Sequence, residues 1–138
     1  MKSRFATVLA AVLGCCAASG PARGEDALSG THWVLGVLIG TSANIGGGTV
    51  SMAFDNGRVQ GSDGCNRYRT SYVVNGERLK FDEDIASTRI SCIQSAMMQA
   101  VAFFEALRVT ARYRRQGEQL TLLDAKGETL AVFGLRGP

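Results

Sequence analysis

From Thr31 onward, apolar and polar residues alternate in short runs, the signature of strands buried on one face, and one helical repeat interrupts them. Thr31 to Ile39 is dense in β-branched and aromatic residues and predicts a first strand with Trp33 and Leu35 on one face. Val50, Met52 and Phe54 alternate with Ser51, Ala53 and Asp55. Asp55-Asn56-Gly57 then turns the chain into Arg58 to Ser62, because Asn and Gly accept the positive φ of a tight hairpin. Tyr68 to Val74 and Arg78 to Phe81 form a second hairpin around Asn75-Gly76. After the helix, a strand through Val109, Ala111 and Tyr113, a turn at Gln116-Gly117-Glu118, Gln119 to Asp124, a turn at Ala125-Lys126-Gly127, and Glu128 to Phe133 predict a three-stranded meander.

Residues 93 to 107 carry the change of period. Ile93, Ala96, Met97, Ala100, Val101 and Phe104 fall on one helical face, and Ser91-Cys92-Ile93-Gln94 fits a capping box in front of it. An apolar stripe at this spacing, with Met97, Met98, Phe103 and Phe104, belongs to a core, so the helix is expected to cover one opening of a sheet. The expected fold is mainly β: an antiparallel, barrel-like sheet of about eight short strands, with one helix inserted before the last three.

The first 24 residues follow different rules. Met1-Lys2-Ser3-Arg4 is basic, Phe5 to Leu13 is apolar, and small residues follow, which is the pattern of a secretory signal. Two processing routes fit. Ala22-Arg23-Gly24 suits a signal peptidase that releases Glu25, whereas Val12-Leu13-Gly14-Cys15 resembles a lipobox in which Cys15 is acylated and residues 16 to 30 serve as a tether. Either way the folded domain is expected over residues 28–136, in the periplasm or elsewhere in the cell envelope. The 138-residue chain has a net charge of +3. Removing Lys2, Arg4 and Arg23 from its 15 basic residues leaves 12 against 12 acidic ones. Processing before Cys15 retains Arg23 and leaves +1. A neutral exported domain is not a nucleic-acid binder on charge, and Arg108, Arg112, Arg114 and Arg115 are expected on a solvated face.

Candidate chemistry is sparse. His32, the one histidine, lies beside Trp33 in a strand and has no evident nucleophile partner. His32, Cys65 and Cys92 lack the short ligand spacing of a zinc site, and Asp82-Glu83-Asp84 lacks a calcium-loop pattern. Gly40 to Gly48 is a flexible loop without the lysine of a phosphate-binding motif. No catalytic, cofactor-binding or metal-binding set assembles. Cys65 and Cys92 are the best-specified pair: a disulfide or close thiol pair in an oxidising compartment, against two thiols packed separately. Asn66 is expected to hold its turn through side-chain to backbone bonds.

Gly61-Ser62-Asp63-Gly64-Cys65-Asn66-Arg67-Tyr68, then Thr88-Arg89 before Cys92 and a helix, with the opening Gly30 to Leu35 and the closing Leu120-Thr121-Leu122 and Leu130 to Phe133, resembles the META domain family. Bacterial members of that family include the heat-shock-inducible protein HslJ. The motif residues carrying the resemblance are Gly64, Cys65, Asn66, Tyr68, Thr88 and Cys92. It implies an antiparallel barrel-like fold in exported or lipid-anchored proteins and transfers no catalytic residue. Thr70 stands where the family usually has glycine. The expected function is a non-enzymatic envelope module, partner-binding or related to stress tolerance. The alternative is a carrier that holds a small apolar ligand inside the barrel. Membrane contact is expected only through a lipid at Cys15.

Overall fold

The computed structural model describes residues 14, 26–41 and 48–137. Apart from Gly14, the signal segment 1–24 with its candidate Cys15, and residues 42–47 of the glycine loop, lie outside the described residues. The elements are β1 (His32–Leu38), β2 (Ser51–Asp55), β3 (Arg58–Ser62), β4 (Arg67–Asn75), β5 (Arg78–Phe81), β6 (Ala86–Ser87), α1 (Gln94–Val109), β7 (Arg112–Gln116), β8 (Gln119–Leu123) and β9 (Thr129–Leu135). Every pairing is antiparallel, in the order β3-β2-β1-β9-β8-β7-β5-β4, and β3 also pairs with β4. The sheet therefore closes into an eight-stranded barrel, with β6 attached to the outer edge of β4. Closure gives each barrel strand a partner on both sides, which suits strands this short.

The local signals explain the hairpins. Asn56 at φ 44° and Gly57 at φ 82° form the two-residue connection between β2 and β3, with Asp55 facing Arg58. Inward positions supply the core: Trp33, Met52, Phe54, Val59, Leu79, Phe81, Leu120, Leu122 and Phe133 are buried along the barrel axis. A register shift between Leu35 and Val37 against β9 changes the parity of β1, so Leu38 turns inward and Val37 outward.

The two ends of the barrel are closed differently. At one end the Asp26–Gly30 turn lays Leu28 into the core. It is tied down by Gly30 N donating to Phe54 O at 2.8 Å, Arg115 Nη1 donating to Ala27 O at 2.8 Å, and the Tyr72 hydroxyl donating to the Asp26 carboxylate. Arg115 also lies over the Trp33 ring at 5.3 Å, so it braces this end, although it is exposed, as Arg108, Arg112 and Arg114 are. At the other end lies α1, with Phe103 stacked edge-on to Tyr68 and Phe133.

Three details of the helix differ from the sequence expectation. The buried face is Ala96, Gln99, Ala100, Phe103, Ala106 and Leu107, whereas Ile93, Met97, Met98 and Val101 are exposed and Phe104 is half-buried. Two apolar stripes run along this helix one position apart, and the barrel mouth selects the one whose small alanines let Phe103 and Leu107 reach the core. The capping box does not form: Ile93 is the N-cap, in an extended conformation, with no side-chain bond to the first turn. Val109 belongs to the helix rather than to the next strand, which begins at Arg112 after Thr110 donates to Ala106 O at 2.7 Å.

Two predictions follow from this packing. Phe103→Ala is expected to lower the unfolding free energy by about 3–5 kcal/mol, while Met98→Ala stays within about 0.5 kcal/mol; urea denaturation of both variants checks which stripe is buried. The second concerns pH. Burial first, and then the hydrogen bond to Asp26, push the Tyr72 hydroxyl from its ordinary 10.0 up to about 12. The folded state favours the protonated phenol, so this contribution is intact below pH 10 and is lost as pH rises through about 12. Denaturation midpoints across that window should fall for the native chain and fall less for Tyr72→Phe.

Candidate functional site

The motif residues meet where β4 begins. β4 has nine residues and β5 has four, so only Tyr72 to Asn75 pair with β5, and the first half of β4 needs another neighbour on that edge. The segment from Ala86 to Cys92 supplies it. Tyr68 faces Ser87, Arg69 faces Ala86, and Thr88 N donates to Arg67 O at 3.0 Å. Arg67 N donates back to Thr88 Oγ1 at 3.1 Å.

Beyond Arg67 the strand turns away, and Asn66 continues the ladder with its side chain. Its Oδ1 accepts from Ile90 N at 2.6 Å and from Thr88 Oγ1 at 2.8 Å, and its Nδ2 donates to Ile90 O at 3.3 Å. The side-chain amide thus pairs with Ile90 as a peptide group would. The expected side-chain to backbone bonding is present, but it reaches across to another segment instead of closing a local turn. Cys65 and Cys92 then form a disulfide, with their Cα atoms 5.9 Å apart, closing the same segment one step further on. Cys92 precedes the helix rather than lying in its first turn.

The turn itself is anchored on one buried carboxylate. Asp63 is buried and its Oδ1 accepts from Cys65 N at 2.8 Å and Asn66 N at 2.5 Å, which fixes the loop around Gly64. Gly64 sits at φ 94°, and a side chain there would meet Gly48 O. At Gly61 an added Cβ would stand 2.1 Å from Ser51 O, so no other residue fits this crossing of β2 and β3. The Tyr68 hydroxyl donates to Ser51 O at 2.8 Å, and burial, reinforced by the nearby Asp63 carboxylate, raises its ionisation well above the usual range. Thr70 is buried and directs its hydroxyl to Asp82 O at 3.3 Å and Asp84 O at 3.1 Å, fastening the chain between β5 and β6.

Gly64, Cys65, Asn66, Tyr68, Thr88 and Cys92 are therefore brought together. His32 is not: it is exposed at the start of β1, paired with Ala53, at the end of the barrel closed by Asp26. Asp82, Glu83 and Asp84 are exposed in the connection after β5. No group of three or more metal-ligating side chains converges among the described residues.

Sequence reasoning missed the surface beside this clasp, in which Cys65 and Asn66 hold the segment from Thr88 to Cys92. A groove of about 380 Å3 runs between Ser87–Ser91 and α1, with Met97, Ala100, Val101 and Phe104 along the helix side. Met98 and Val101 are 64% and 70% exposed, and Ile90 and Ile93 extend the apolar patch. The signal was present as the second apolar stripe of the helix.

Reduction of Cys65–Cys92 releases a 27-residue separation and is expected to lower stability by about 3.5 kcal/mol. Asn66→Ala should cost about 1–3 kcal/mol with the disulfide intact. Urea denaturation with and without reductant measures both effects, and their sum should not be additive because both hold one segment.

Comparison with known proteins places this geometry. A model of the META domain family matches residues 26–136. An NMR structure of a protein from Burkholderia xenovorans is similar with 24% identity and a TM-score of 0.65, over 80% of this chain and 85% of that one. A second NMR structure is similar with 23% identity and a TM-score of 0.62, over 78% of this chain and 91% of that one. These two likenesses show the fold. No curated protein matches the chain significantly. Since the family match spans the barrel, the clasp and the helix together, the chain belongs to the META domain family.

Proposed function

We propose that this META domain protein is a non-enzymatic module of the cell envelope that binds a partner protein, in a role tied to envelope stress tolerance, through the exposed side of α1. The observation that carries this reading is the apolar patch of Ile90, Ile93, Met97, Met98 and Val101, each about half exposed or more. Isolated apolar residues are ordinary on a surface, but a set gathered on one helix and the segment that leads into it is a contact surface. The Cys65–Cys92 disulfide holds the start of that helix, which limits the ordering cost of docking. Export is supported by the basic and apolar opening of the chain and by the disulfide, which persists in oxidising compartments.

The carrier alternative requires space inside the barrel. Trp33, Phe54, Phe81, Phe103 and Phe133 are fully buried there, and the apolar pocket lined by Met97, Met98 and Val101 lies outside, along α1.

A photo-crosslinking residue at Val101, compared with one at the equally exposed Val73 on the barrel wall, tests the reading in intact cells. The expected result is a discrete protein adduct from position 101 that excess purified domain suppresses, with none from position 73. Adducts only to lipid, or the same adducts from both positions, would overturn it.

A further inference from the structure

We infer that the groove between β6 and α1 takes an extended peptide segment of the partner as an added β-strand, one with alternating apolar residues and a net negative charge. This rests on the partner-binding reading above and names the chemistry of the partner at that same surface.

In the β4–β6 register, Thr88 N donates to Arg67 O, which makes Tyr68 and Ser87 a non-hydrogen-bonded pair. Ser87 therefore turns its own N–H and C=O away from β4. The alternation continues: Ile90 gives both of its backbone groups to Asn66, so Arg89 and Ser91 present theirs to the other side. None of Ser87, Arg89 and Ser91 has a backbone bond within the protein on that side, among the described residues. All three are exposed and line the groove.

β6 is thus the strand with a neighbour on one side only, in a fold where closure supplies two to each barrel strand. Exposed edges are ordinarily blunted by irregularity, charge or a cover. This one is held in place instead, by the two ladder pairs to β4, the Asn66 amide and the disulfide. Outward-turned residues two apart repeat at about 6.6 Å, the repeat at which an added strand offers its own donors and acceptors. Such addition draws affinity from the main chain and specificity from alternate side chains.

The side-chain chemistry selects the guest. Met97, Ala100, Val101 and Phe104 give an apolar wall for every second residue. Arg89 lines the same groove, and Arg67 and Arg69 line an adjoining groove of about 370 Å3 that shares Ser87 and Thr88. None of these arginines forms an ion pair among the described residues. An acidic guest would complement all three.

The test uses the folded domain with its disulfide intact and a capped heptapeptide of alternating glutamate and valine. Binding is followed by NMR and amide hydrogen exchange. The expected result is saturable binding with slowed exchange at the amides of Ser87, Arg89 and Ser91. Methylating alternate peptide nitrogens of the guest, or replacing its glutamates by lysine, should weaken binding at least about tenfold, equivalent to about 1.4 kcal/mol. Val101→Glu alters an exposed position, so it should fold normally and weaken the same peptide. Equal affinity for the methylated peptide, or binding without protection of those three amides, would overturn strand addition. So would absence of binding by both the acidic peptide and its lysine counterpart. The parent reading fails separately: peptide binding with the protected amides, but no protein adduct from position 101 in cells, would retain the groove and remove the envelope partner. A protein adduct from position 101 without amide protection would retain the partner and remove the added strand.

Discussion

A β-strand longer than its neighbour leaves backbone groups that something else must satisfy, and β4 is such a strand. On the edge away from β3, its second half is paired with β5, and its first half has no partner until the chain returns at Ala86. Each unsatisfied buried amide or carbonyl costs as much as a lost hydrogen bond. The return segment meets that requirement in three ways. It adds two ladder residues, it receives the side chain of Asn66 in place of a peptide, and it is held covalently through Cys92. The position of α1 follows, because the helix starts directly after Cys92 and has to lie across the nearby mouth of the barrel. The filled core follows too, since Phe103 and Leu107 enter through that mouth.

The same requirement explains why so little of the polar chemistry converges. Asp63 is buried, yet its carboxylate is occupied by two amides of its own loop. Thr70, Tyr68 and Asn66 each bond to main-chain atoms of another segment. No described buried polar side-chain atom is left without a partner. Such groups hold the fold.

Much of the barrel was legible in the chain because its hairpins are local. Asn56-Gly57 specifies a turn, and alternation on either side specifies the inward face. A bond between Cys65 and Cys92 was the favoured of two readings of the chain, the other being two thiols packed separately, and the disulfide settles it. The helix face was not, because Ala96, Ala100, Phe103 and Leu107 form one stripe while Ile93, Met97, Val101 and Phe104 form another of greater apparent hydrophobicity. Only the width of the barrel mouth decides between them, and that width is set by residues distant in sequence. β6 was invisible for a related reason: two residues carry no periodicity, and their strand character comes from β4. The reach of Asn66 to Ile90 likewise depends on a juxtaposition that no local pattern encodes.

The different closures of the two barrel ends give the domain a direction. Asp26 is fastened beneath Tyr72 at the end opposite α1, so the described domain begins at that pole. A lipid or other attachment upstream would leave the clasp and the apolar helix at the far pole, turned toward the surrounding space. The domain would then behave as a short arm, attached at its base and making contact at its tip.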